Sequence, residues 1–328
     1  MTGQAGTGGD AAKAQAPAVE IAAPDIDAYR AGNTGVPYVT AFDSGAPGPH
    51  VMVSALVHGN ELCGAHALAF LFERGIRPKR GRLSLGFCNI DAFLRFDPAN
   101  PAASRYVDED FNRVWDPPVL DGSRTSVELR RARELRPFID TVDLLLDVHS
   151  MQTTTRPLML AGPLDKGADL ARKVTIPDLV VVDEGHKAGR RMRDYRGFGD
   201  PVSAKNALLV ECGQHWIKPT VEVAIDTTLR FLIAAGAVDA AEIARHRALG
   251  PPPKQRVIRV TEAVTVATPD FAFTENYVGL EVIGAAGTLI ARDGTREVRT
   301  PYDECVLIMP SKRLVPGLTA VRLGRFIA

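Results

Sequence analysis

The chain has 328 residues, enough for one large domain with a smaller one attached. Its 39 Lys and Arg balance 39 Asp and Glu, which argues against a nucleic-acid binder that works by neutralising phosphates, and no stretch reaches the roughly 18 consecutive apolar residues of a membrane-spanning helix. Cys63, Cys88, Cys212 and Cys305 stand too far apart for a C-x-x-C metal knuckle or a disulfide framework.

Residues 1 to 18, rich in Ala, Gly and Gln, carry too little apolar surface to offset the entropy of ordering and are expected to form a flexible tail. They show neither the basic start nor the apolar core of a signal peptide, so a cytoplasmic protein is expected. From Pro37 onward, short apolar runs alternate with longer amphipathic segments, the pattern of an α/β domain. Val51 to Val57 reads as a buried strand, Glu61 to Arg74 as a helix and Leu83 to Ile90 as the next strand. After a polar loop, Ser126 to Ile139 reads as a charged helix, Val142 to Val148 as a third buried strand, Ala207 to Val210 as a fourth, and Thr220 to Ala235 as a covering helix. Gly250 to Pro253 breaks any helix. Beyond it lie short β-branched runs, Arg256 to Val260, Ala263 to Ala267 and Val306 to Met309. The expected organisation is α/β: a mixed sheet flanked by helices over residues 19–250, then a small, mostly β domain over 251–328.

Four polar residues follow buried runs. His58 and Glu61, in the stretch ALVHGNELCG, succeed the first strand; His149 succeeds the third and Glu211 the fourth. The His58-x-x-Glu61 spacing alone is weak, because a strand-end His beside a helix-start Glu is common. The convergence is stronger, since open α/β sheets place their ligands at the carboxyl ends of strands. Two imidazoles and a carboxylate are the ligand set of a catalytic zinc with a position left for water. Glu211 is then a spare carboxylate able to take a proton from that water and pass it to a leaving amine.

Asp147 precedes His149 by two and so shares its side of a strand; it either orients that imidazole or bonds a backbone amide. Glu211 and His215 have i,i+4 spacing and are a rival ligand pair, but Gly213 between them makes a helix there improbable. In SRYVDEDFNRVW, residues 104–115, Arg105, Asn112 and Arg113 suit recognition of a carboxylate by a guanidinium fork and an amide, although charged loops are commonly solvated. Residues 186–200 carry Arg190, Arg191, Arg193 and Arg196 and are expected to form a solvated basic loop, one arginine of which could face a second substrate carboxylate. No G-x-S-x-G elbow, P-loop or G-x-G-x-x-G appears.

HGNE at 58–61, RYVDEDFNR at 105–113, DVHS at 147–150 and VECG at 210–213 together resemble the succinylglutamate desuccinylase and aspartoacylase family, zinc-dependent N-acyl-amino-acid hydrolases related to the zinc carboxypeptidases. The resemblance spans most of residues 37–235 and is specific for family rather than for substrate. It implies a zinc-carboxypeptidase-like mixed sheet, one Zn2+ held by His58, Glu61 and His149, and Glu211 as general base. It further implies that Arg105 stabilises the oxyanion, that Asn112 and Arg113 hold the α-carboxylate of a small N-acyl amino acid, and that a tyrosine from the C-terminal part, with Tyr302 the candidate, reaches the site. A zinc carboxypeptidase acting on peptides and a catalytically silent metal or ligand binder are the competing readings.

Overall fold

A computed structural model describes residues 18–185 and 188–327, so the tail expected for residues 1–18 lies, up to residue 17, outside the described residues. The strands are β1 (Val39–Asp43), β2 (His50–Ala55), β3 (Arg82–Phe87), β4 (Leu144–Met151), β5 (Leu158–Leu160), β6 (Leu179–Val182), β7 (Asn206–Gln214), β8 (Arg256–Thr265), β9 (Phe271–Phe273), β10 (Val282–Ile283), β11 (Leu289–Asp293), β12 (Arg296–Arg299), β13 (Cys305–Ile308) and β14 (Thr319–Ile327). Between them run α1 (Leu62–Glu73), α2 (Ile90–Phe93), α3 (Pro117–Asp121), α4 (Val127–Ile139), α5 (Asp165–Val174), α6 (Lys218–Ala234) and α7 (Ala240–His246).

One mixed sheet of 11 strands, in the order β1-β3-β2-β4-β7-β5-β6-β8-β14-β13-β10, forms the frame, with β12-β11-β9 as a small second sheet. Strands β3, β2, β4 and β7 run parallel at its centre. They are near-continuous apolar runs because both faces are covered, as parallel sheets require. Alternation along β2 divides the core: Val51, Val53 and Ala55 pack with α1, α5 and α6 on one face, whereas Met52 packs with Leu129, Ala132 and Leu135 of α4 on the other. Helix α4 begins where Ser126 accepts the Leu129 N–H at 3.0 Å, a side-chain cap.

Two strands are longer than their apolar runs. β4 continues through His149 to Met151, and β7 through Glu211 to Gln214, because the two strands keep pairing there, with His149 opposite Glu211 in register. Ladder hydrogen bonds outlast the hydrophobic signal. β5 and β6 have no counterpart in the sequence reading, since runs of three and four residues carry too little periodicity to identify. The runs 256–260 and 263–267 merge into the single strand β8, whose partner β14 shifts register between Leu323 and Gly324. Across the Gly250–Pro253 segment the main sheet continues, β8 pairing parallel with β6. The second sheet packs on the main one through an apolar cluster that joins Phe271 and Ile290 to Val321 of β14.

Candidate active site

After β2 the backbone turns sharply: Leu56 adopts φ +58°, and the turn His58–Glu61 leads into α1. Gly59 is required by close packing, because a Cβ there would lie 2.4 Å from the Ala92 carbonyl carbon and 2.5 Å from the Ser104 oxygen. Its N–H donates to the Arg105 carbonyl at 3.1 Å, joining the first motif to the second. Glu61 occupies the cap position of α1 without capping it, so its carboxylate is available to the site.

That carboxylate grips two imidazoles. Oε1 lies 2.7 Å from His58 Nδ1, and Oε2 lies 2.8 Å from His149 Nδ1 while accepting the Ser150 N–H at 3.1 Å. The far edge of each ring meets another carboxylate: His58 Nε2 is 3.0 Å from Asp110 Oδ1, and His149 Nε2 is 2.8 Å from Asp147 Oδ2. Ser54 in turn donates to Asp147 Oδ1 at 2.7 Å. Among the described residues, His58, Glu61 and His149 form the group whose ligand atoms all lie within 4.8 Å of one another.

This donor set fits a metal cation. When each Nε2 carries the proton towards its aspartate, both Nδ1 lone pairs face the oxygens of one carboxylate, a contact that only a proton or a cation makes attractive. The electrostatics agree. Burial opposes charge on His149, but Asp147 and Glu61 outweigh it and hold the ring well above its ordinary value. Burial likewise opposes charge on Glu61, yet His58 and His149 hold it well below the usual carboxylate range. The arrangement demands positive charge beside Glu61.

Glu211 behaves oppositely. Burial, and then the neighbouring Glu61 charge, push its carboxyl up to about 8, and its Oε2 has no hydrogen-bond partner among the described residues. Arg105, with 36 % of its side chain exposed, donates to Glu61 Oε1 at 3.1 Å and to Asp110 Oδ2 at 3.3 Å. Burial weakens the charge on Arg105, but Asp110 and Glu61 more than restore it.

His58, Glu61, Arg105, Asp110, His149 and Glu211 line one cavity of about 610 Å³. Asn112 and Arg113 line it too; the Asn112 Oδ1 accepts the Met192 N–H at 2.9 Å, and Arg113, crowded by burial, is lowered to about 10. Tyr302 is not brought there: it is absent from the cavity lining, its hydroxyl meets Thr261 Oγ1 at 2.5 Å, and Arg325 covers its ring. The C-terminal segment contributes Arg322 of β14 instead, with Lys312 and Arg313.

The basic loop departs from its solvated expectation. Arg191 and Arg193 have side chains only 2 % exposed. Arg191 forms a bidentate pair with Asp183 at 2.9 and 3.1 Å and a further bond to Asp194 at 2.6 Å, while Arg193 donates to the Ala161 carbonyl at 3.0 Å. Paired carboxylates make this burial tolerable. Arg190 and Arg196 remain exposed, and residues 186 and 187 lie outside the described residues. The rival Glu211–His215 pair on a helix is also overturned, since β7 runs through Gln214 and Gly213 takes φ +118°. Sequence reasoning missed Asp110 and Arg322. Asp110 sits inside the motif at 104–115 that was singled out, whereas Arg322, between Val321 and Leu323, carries no local signal.

A family model of the succinylglutamate desuccinylase/aspartoacylase catalytic domain matches residues 47–234. Similar solved structures include a succinylglutamate desuccinylase from Vibrio cholerae, 17 % identical with a TM-score of 0.64 over 88 % of this chain and 85 % of that one. Another, from Chromobacterium violaceum, is 18 % identical with a TM-score of 0.62 over 89 % of each chain. The product-bound ectoine utilization protein EutE (DoeB) from Ruegeria pomeroyi is 18 % identical with a TM-score of 0.58 over 88 % of each. At such identities these structures speak to the fold.

Proposed function

The chain belongs to the succinylglutamate desuccinylase/aspartoacylase family, and from that premise we propose that it is a zinc-dependent hydrolase of the amide bond of a small N-acyl amino acid. The observation that carries the reading is the division of labour between two buried carboxylates: Glu61 joins both imidazoles, while Glu211 keeps an unpartnered oxygen in the same cavity.

In this reading His58, Glu61 and His149 hold the zinc, and Asp110 and Asp147 retain the Nε2 protons so that both Nδ1 lone pairs stay available. Zinc, when bound, acidifies water and polarises a carbonyl. Glu211 accepts the water proton at Oε2 and delivers it to the departing amine nitrogen. Arg105, anchored on Glu61 and Asp110, turns its guanidinium to the developing oxyanion. Asn112 and Arg113 hold the α-carboxylate.

The test is release of free amine from a panel of N-acetyl, N-succinyl and longer N-acyl amino acids and short peptides, with and without chelator. Chelator-sensitive cleavage of acyl amino acids is the expected result. Cleavage of peptides alone would replace this reading with a carboxypeptidase, and no cleavage by folded, zinc-loaded protein would leave a silent binder.

A further inference from the structure

Glu128, the second residue of α4, does not line the cavity and has no part in the chemistry just described. It is a fully buried carboxylate whose two oxygens accept four N–H groups. Oε1 takes the Asn89 side-chain amide at 3.1 Å and the Val107 backbone N–H at 2.7 Å; Oε2 takes the backbone N–H groups of Asp108 at 3.1 Å and Glu109 at 3.2 Å. All four donors are uncharged. A carboxylate is buried at tolerable cost only where such donors replace its hydration, and bonds to the ionised form are about twice as strong as neutral ones. The amino end of α4 adds its dipole, which favours a negative group in the first turn. The clasp is reciprocal, because Asp108 Oδ2 accepts the Val127 N–H at 2.8 Å, one of the donors that the helix itself leaves unpaired.

What the clasp holds is the short span between two residues of the site. On one side of it stands Arg105, whose carbonyl is pinned by the Gly59 N–H at 3.1 Å and whose guanidinium reaches Glu61 Oε1 and Asp110 Oδ2. On the other stands Asp110, which meets His58 Nε2 at 3.0 Å and accepts the Asn112 N–H at 2.9 Å. Side chains do little to fix the span between them. Val107 and Glu109 are half-buried, Asp108 is exposed, and Glu109 pairs with a largely exposed Arg124, where ion pairs are weak. Three consecutive amides carry the restraint instead.

We infer that Glu128 is a positioning residue: by clasping three consecutive amides it fixes the distance and direction between Arg105 and Asp110, and so sets both against His58 and Glu61. The step rests on the function proposed above, in which Arg105 meets the oxyanion and Asp110 orients a ligating imidazole. Glu128 touches neither substrate nor metal. Its effect is geometric, and a displacement of about 1 Å at a reacting group can cost about a hundredfold in rate.

The experiment uses E128Q, which keeps the size of the side chain but turns one accepting oxygen into an amide nitrogen that cannot accept these N–H groups. Two double-mutant cycles on the full chain read it: zinc affinity, by chelator competition, with D110A, and kcat of the zinc-saturated enzyme with R105A. E128Q should weaken zinc binding about tenfold and lower kcat about tenfold to a hundredfold. Amide hydrogen exchange should quicken at residues 107–109 while the central strands stay protected. Each loss should shrink sharply once its target is already gone, in D110A for affinity and in R105A for kcat. Losses that add in full describe a general weakening of the fold and overturn the inference, as do wild-type affinity and kcat, or unchanged exchange at 107–109. If E128Q does not fold, D108A, at an exposed position, breaks the reciprocal bond from the loop side; it enters both cycles with smaller losses expected and the same overturning results. Zinc binding without hydrolysis of any acyl amino acid by the wild type overturns the proposed function, while the affinity cycle still decides the role of Glu128. A wild-type chain that binds no zinc overturns both.

Discussion

His149 and Glu211 stand opposite one another in register on the adjacent parallel strands β4 and β7. The sheet itself therefore carries the proposed base beside the proposed ligand, with no dependence on a loop. Glu211→Gln should keep the fold and the metal while turnover falls by about a hundredfold or more, the usual contribution of a positioned general base. Metal analysis beside steady-state kinetics checks this, and near-normal turnover would remove Glu211 from its role.

Arg105 contacts Glu61 and Asp110 through its guanidinium while 36 % of its side chain stays exposed to the cavity. Arg105→Ala should retain zinc and lose about a hundredfold to a thousandfold in kcat, the range for loss of an oxyanion donor. A loss confined to KM would reassign Arg105 to binding of the ground state.

Asp147, fully buried, holds His149 Nε2 at 2.8 Å. Asp147→Asn should weaken metal affinity about tenfold to a hundredfold while the chain still folds, because a carboxylate behind a ligating imidazole sets its tautomer and basicity. Competition against a chromogenic chelator gives the affinity, and an unchanged value would make Asp147 a structural residue only.

His215 predicts a pH dependence of stability. In the folded chain burial pushes its imidazole down to about 4, whereas in the unfolded chain it titrates near the ordinary value of about 6.5. Between those values the unfolded chain binds more protons. Stability is therefore lost as pH falls from about 6.5, levelling off once the folded-state value is passed. Over that window the wild type should lose roughly 3 kcal/mol more than His215→Gln. Urea unfolding of both proteins across the window tests it, and parallel curves would show that the imidazole is not held neutral.

Asp183 joins Arg191 through two bonds of 2.9 and 3.1 Å and lies 3.6 Å from Arg322 Nε. Asp183→Ala should destabilise the fold by about 3 kcal/mol, because the buried Arg191 guanidinium then keeps only Asp194 as a carboxylate partner. An unfolding midpoint close to that of wild type would mean that Arg191 escapes to solvent.

Much of this was legible in the chain. Val51 to Val57 and Val142 to Val148 read as strands because burial on both faces needs unbroken apolar runs, and such runs are local. The four motifs also identify His58, Glu61, His149 and Glu211 by order and spacing. The arginines at 191 and 193 misled for a physical reason: a basic loop is solvated unless carboxylates meet it, and Asp183, one of those carboxylates, lies outside the loop's own motif.

What only the tertiary structure decided is which side chains converge from afar. Strand order brings β14 into the main sheet and with it Arg322 to the cavity, whereas Tyr302 is held by Thr261. Register places His149 against Glu211, and the packing of Gly59 on Ala92 and Ser104 lets Asp110 reach His58. Hydrophobic periodicity is set within a few residues and can be read directly. Pairing register and the meeting of buried charges are settled by contacts between segments far apart in sequence, and no local pattern records them.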